Sequence, residues 1–311
     1  MKVIYQQTLK KIVMKKNFGM SSCAGLLLAT SLFIVSCTKN ESTDIVDDLA
    51  NSEVLSAAEL NSSDEIELIS EEITTLAEDV YTVDEISFSS KSAFTSDYLP
   101  DCVTITTVVT DTSKEKTIDF GEGCELRNGN VLSGIIILTY SKDMEAATKM
   151  LSLSLENFTF NKVAVEGSAN IVRMRANDNG NPQSVAEANF DAEWPEGETV
   201  AYAANRTREW IEGYGSGFWG DNVFLISGMA TYEGKLGNVF SKNIVEPLRR
   251  EMACRFIVSG VVEISRNDTK VSLDFGDGSC DAIGFLTYPD GTTEEITLRR
   301  FHKKFPPKFP F

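Results

Sequence analysis

Hydrophobic and polar positions change their rhythm twice along this chain. Between residues 63 and 80 the apolar positions Ile66, Ile69, Ile73, Leu76 and Val80 recur at spacings of 3, 4, 3 and 4, the period of one helical face. Ser62 followed by Glu65 forms a capping-box pair at its start. The spacing predicts one amphipathic helix over 63–80, laid on a domain or used as a spacer. Two heptads are too few to define a coiled coil.

From about residue 100 the rhythm shortens. CVTITTVV, KTIDF, SGIIILTY, MLSLSL, NKVAVEG, ETVAYAA, NVFLISG, CRFIVSGVVEIS, KVSLDF, GFLTY and EEITL read as strands. RNGN, PEGE, SRND and PDGT supply turns between them. Many short strands without alternating helices predict a mainly β body of antiparallel sheets, either a sandwich or a curled open barrel, with a short N-terminal helical segment.

The start of the chain has another texture. Lys10, Lys11, Lys15 and Lys16 precede the apolar run CAGLLLATSLFIV, Cys23–Val35. As a helix this run spans about 20 Å, short of the roughly 30 Å of a bilayer core, so it reads as a secretory signal and not a transmembrane span. Met14 offers an alternative start of more ordinary signal length. LFIVSC then places an aliphatic residue, a small one and Cys37 in the order of a bacterial lipobox. Cys37 is the expected site of diacylglycerol and fatty acyl attachment, such as palmitate, which together anchor a protein stably in a membrane.

The expected organisation is a signal peptide over 1–36, an acidic linker with the helix over 37–100, a β domain over 101–300 and a basic flexible tail over 301–311. From Thr38 to Pro100 there are 16 Asp and Glu against Lys39 and Lys91, in a chain of net charge −17. Such charge disfavours nucleic acid as a partner. The expected partners are a membrane, through the lipid, and a glycan, a peptide or another envelope protein.

One phrase occurs twice. Cys102 opens a strand whose return ends in DFGEGC at Cys124, and Cys254 opens another whose return ends in DFGDGSC at Cys280. GIIILTY and GFLTY follow the two phrases, so a hairpin unit is used twice, over 102–140 and 254–298. Opposed residues of an antiparallel hairpin lie about 4.5–5.5 Å apart, within disulfide range. In an exported body the simplest pairing is Cys102–Cys124 and Cys254–Cys280, with cross-copy pairing or free thiols as the alternatives.

These features, with NKVAVEGSANI and NRTREWI, resemble an uncharacterised exported lipoprotein family of Bacteroidota over roughly residues 100–300. TKNES after Cys37 is similar, though imperfectly, to the acidic export tag of surface lipoproteins in that phylum. The resemblance implies an outer-membrane, lipid-anchored β-protein, at the cell surface more than on the periplasmic face. It brings no catalytic residues with it.

Candidate chemistry is sparse, and no cofactor is expected. SLDFGDGS looks like a turn of polycystic-kidney-disease-type immunoglobulin-like domains but lacks their following elements. Asp119 with Glu122 and Asp274 with Asp277 offer too few oxygens for calcium, and the single histidine, His302, argues against zinc and against a Ser–His–Asp triad. GSGFWG fits a dinucleotide pattern, yet a strand-like run follows it where a helix is required. The chain therefore reads as non-catalytic, with a structural, adhesive or ligand-binding role. The alternatives are a periplasm-facing carrier of a hydrophobic ligand, with an apolar pocket inside a curved sheet, and, further off, a two-carboxylate envelope hydrolase. The aromatic, glycine-rich REWIEGYGSGFWGD is the sequence's candidate binding loop, with Trp210, Tyr214, Phe218 and Trp219. Trp210 is expected to be buried and Tyr214 and Trp219 to be exposed as a platform. In the rival and favoured reading Trp210 and Phe218 pack in the core and the glycines only make turns.

Overall fold

The computed structural model describes residues 57–234 and 237–300, with helix side chains from residue 62 onward. The signal segment, Cys37 and the basic tail lie outside the described residues.

The apolar period makes a helix, α1, but it runs over Ala57–Ser90, well beyond the predicted segment at both ends. Ser62 therefore does not cap it; its hydroxyl donates to Glu198 instead, at 2.5 Å. The helix is also no spacer. Ile66, Ile69, Ile73 and Leu76 are fully buried, and so, on its other faces, are Glu72, Thr75, Glu78, Thr82 and Glu85.

What buries it is one antiparallel sheet. Its strands are β1 (Thr104–Val109), β2 (Ser113–Asp119), β3 (Cys124–Glu125), β4 (Val131–Ser141), β5 (Thr148–Phe160), β6 (Val163–Met174) and β7 (Gln183–Glu193). They continue with β8 (Thr199–Glu212), β9 (Val223–Gly234), β10 (Val239–Glu251), β11 (Ile257–Arg266), β12 (Thr269–Asp277), β13 (Ile283–Thr287) and β14 (Thr293–Thr297). Apart from the short β3, which pairs only with β4, each strand lies beside its neighbours in sequence. The sheet curls without closing, so β1 and β14 are its edges. Of the two architectures left open by the strand pattern, the curled open sheet is the one formed.

Strict alternation sets the two faces. In β7, Ser184, Ala186, Ala188, Phe190 and Ala192 are buried, while Glu187, Asn189, Asp191 and Glu193 are exposed. Outward positions of the neighbouring strands carry Ser152, Ser154, Glu166, Ser168 and Asn170. On these strands the outward face is mostly polar, with Met150 an exposed apolar exception.

The inward face is unusual in carrying cations. The helix has no lysine or arginine, and its carboxylates meet Lys114 and Lys116 of β2, Arg173 of β6, Arg206 and Arg208 of β8 and Lys242 of β10. Much of the acidic character assigned to a linker surface is therefore interior charge, compensated residue by residue.

The doubled phrase sits in β1–β2 near one edge and in β11–β12 near the other. Each copy makes the same turn: the Asp119 side chain accepts the Gly121 N–H at 2.8 Å, and Asp274 accepts that of Gly276 at 2.9 Å. Both glycines have positive φ, +61° and +98°, which a side chain at either position would strain. The register repeats too, with Asp119 opposite Ile135 and Asp274 opposite Phe285, each one residue past a glycine. Cys102 pairs with Cys124 and Cys254 with Cys280, both with Cα atoms 5.7 Å apart. The cysteines are not opposed rungs of the two hairpins, however. Cys102 precedes β1 and Cys124 lies in β3; Cys254 follows β10 and Cys280 lies between β12 and β13. Each bridge ties the flanks of its hairpin.

Candidate functional site

The helix does not fill the curl evenly. Asp64, Glu67, Leu68, Glu71 and Thr74 form a stripe facing the inner side of β7–β14, and between them lies a cavity of about 120 Å³. Small inward side chains make the room: Ala186 and Ala188 of β7 and Ala204 of β8 stand beside the stripe. Aliphatic and aromatic side chains form the far wall, among them Ile226, Leu248, Ile264, Leu273, Phe275 and Ile296. Leu273 and Phe275 line the cavity and are half-exposed. An engineered apolar cavity of roughly 150 Å³ accommodates benzene, so this one suits a ring or a short branched or linear chain.

One side of the cavity is ionic but internally matched. Lys242 bridges Asp64 and Glu67, the latter at 3.3 Å. Glu67 also pairs with Arg206 and accepts the Tyr232 hydroxyl at 3.0 Å. Burial works against an ionised Glu67, but Lys242, Arg206 and Tyr232 outweigh it and hold its carboxyl down at about 2. Burial likewise opposes the charge on Lys242, and Asp64 and Glu67 overcome it and raise its pKa. A carboxylate held so low is a poor proton donor near neutral pH, which leaves Glu67 unsuited to the general-acid half of a glycosidase-type pair.

Elsewhere the helix is fixed by two buried clusters. Glu72 accepts from Tyr98 and from Asn128, the latter at 2.8 Å, yet burial still raises its pKa. Glu85 accepts from Arg173 at 3.3 Å and from Tyr214 at 2.9 Å.

The aromatic loop is part of this packing and not a platform. Trp210 is buried as expected, against Tyr214 and Phe224 at centroid distances of 5.1 Å each. Trp219, expected in solvent, is 2% exposed and stacks on Tyr98 at 5.4 Å. Tyr214 is half-buried with its hydroxyl committed to Glu85, and Phe218 is half-buried. The physical reason is the segment after the helix, which folds over the loop. The Asp97 N–H donates to the Gly217 carbonyl at 3.1 Å, and the Asp97 side chain accepts the Trp219 N–H at 2.6 Å.

The cavity was not apparent in the sequence. Its signals were the alanine-rich alternation of β7 and the basic residues inside strand-like runs, and both are ambiguous without knowing which face turns inward. Among the described residues, no group of three or more His, Cys, Asp and Glu is arranged to hold a metal. No family model, curated protein or solved structure matches the chain.

Proposed function

We propose that this is a lipid-anchored envelope protein that holds a small apolar molecule between its helix and the β7–β14 part of its sheet. The observation that carries this reading is the cavity itself, walled by aliphatic side chains and by half-exposed Leu273 and Phe275. A matched ionic side beside apolar walls favours binding over chemistry. The carrier reading thus takes precedence over a purely structural or adhesive role, since those roles give no reason for an apolar cavity among the described residues.

Calorimetric titration of the full chain with benzene, a ligand of the cavity's size, is expected to show saturable binding. Ala188→Trp, which fills the cavity from β7, should weaken binding at least about 10-fold; Ala204→Phe does the same from β8 and guards against overpacking at one position. Undiminished binding in both folded variants would exclude the cavity as the site.

The anchor rests on the sequence around Cys37. Cys37→Ala is expected to abolish incorporation of labelled fatty acid and to leave the precursor unprocessed. Normal acyl labelling of that variant would remove the anchor, and with it the outer-membrane placement.

A further inference from the structure

We propose a second site, for a small inorganic oxyanion of the phosphate or sulfate type, held by Lys149, Arg173 and Arg175 where β5 and β6 meet the helix. Lys149 and Arg173 are directly opposed across the β5–β6 ladder, and Arg175 continues the pairing through its N–H to the Ala147 carbonyl at 3.0 Å. Opposed like charges repel, and burial removes the water that would screen them. Lys149 is 3% exposed and Arg173 2%.

The protein supplies too little negative charge to settle three cations here. Glu85 is the buried carboxylate among them, and its oxygens are already shared. Arg173 Nη2 lies at 3.3 Å, Arg175 Nε at 3.7 Å, and the Tyr214 and Tyr81 hydroxyls donate at 2.9 and 3.5 Å. Asp143 is exposed, and its side chain accepts the Glu145 N–H at 2.9 Å. Among the described residues, Lys149 Nζ, Arg173 Nε and Arg175 Nε have no hydrogen-bond partner. Lys149 without an acceptor, beside two guanidinium groups that share one carboxylate and leave their Nε–H groups unbonded, is what a compact anion with several acceptor oxygens would satisfy.

Access comes through Arg175, whose side chain is 35% exposed while its Nη2 is fixed on the Met144 carbonyl at 2.6 Å. With Lys149 and Arg173 both buried, a free anion suits the site better than the headgroup of a lipid. Burial depresses the Lys149 pKa, opposed first by Asp143 and then by Glu85, and aided by Arg175.

The test is calorimetric titration of the full chain in detergent with inorganic phosphate, at constant ionic strength set by chloride. Saturable binding is expected, weakened at least about 10-fold in Lys149→Met. Without phosphate, that variant should melt no lower than the parent, because it removes an uncompensated charge. Should the methionine variant fail to fold, Arg175→Gln carries the same comparison. Absence of phosphate binding beyond the chloride background, or equal affinity in the folded variants, would overturn the site.

Discussion

Glu85→Ala is expected to cost the fold about 3–5 kcal/mol, the usual loss when one partner of a buried ion pair is removed. Glu85 is 2% exposed and accepts from Arg173, which is itself 2% exposed. Without the carboxylate, the guanidinium stays buried with a further uncompensated charge beside Arg175 and Lys149. The hydroxyls of Tyr214 and Tyr81 lose their acceptor in the same step. Asp84 provides the contrast. It pairs with Lys114 at 2.8 Å and Lys116 at 2.9 Å, but is 17% exposed, so water can take over part of its role. Asp84→Ala should therefore cost clearly less. Urea unfolding of both variants measures the difference. A Glu85→Ala loss below about 1 kcal/mol would mean that this end of the helix is not sealed inside the sheet.

The same buried charges explain what the sequence conveyed and what it hid. Strands announced themselves wherever large apolar residues recurred between turn signals, as in β5 and β11. Two long strands did not. In β7, QSVAEANFDAE alternates correctly, but its inward residues are mostly alanine, so the hydrophobic contrast is weak. In β10, Pro247 argues against a strand, and the ladder accommodates it by slipping register between Ile244 and Leu248 on the β9 side. The helix was visible only along its isoleucine stripe, because Glu72, Glu78 and Glu85 look like solvent-facing residues until their partners on other strands are known. Those partners lie up to 178 residues away, as for Asp64 and Lys242. The cavity was hidden for the same reason: it is a property of which small and large inward residues face one helix, and local periodicity carries no record of that.

Trp219→Ala is expected to destabilise the protein as severely as Trp210→Ala, by about 3–5 kcal/mol each, the range for deleting a large buried aromatic. For Trp210 the loss comes from its packing against Phe224 and Tyr214 and from the Arg173 guanidinium, 5.9 Å from its ring centroid. For Trp219 it comes from the near-parallel stack on Tyr98, whose own hydroxyl donates to buried Glu72. Removing the indole would loosen the strap after the helix, which docks at Gly217 and Trp219, and so disturb Tyr98 and Glu72 together. Both indoles line one small internal cavity together with Tyr98, Arg208 and Phe224, so their effects should couple and not simply add in the double variant. Phe218→Ala, at a half-buried position, should cost less than either. Thermal melts of the single variants separate the cases. If Trp219→Ala melts within a degree of the parent while Trp210→Ala does not, Trp219 is not held under the strap, and the loop regains its standing as an exposed aromatic platform.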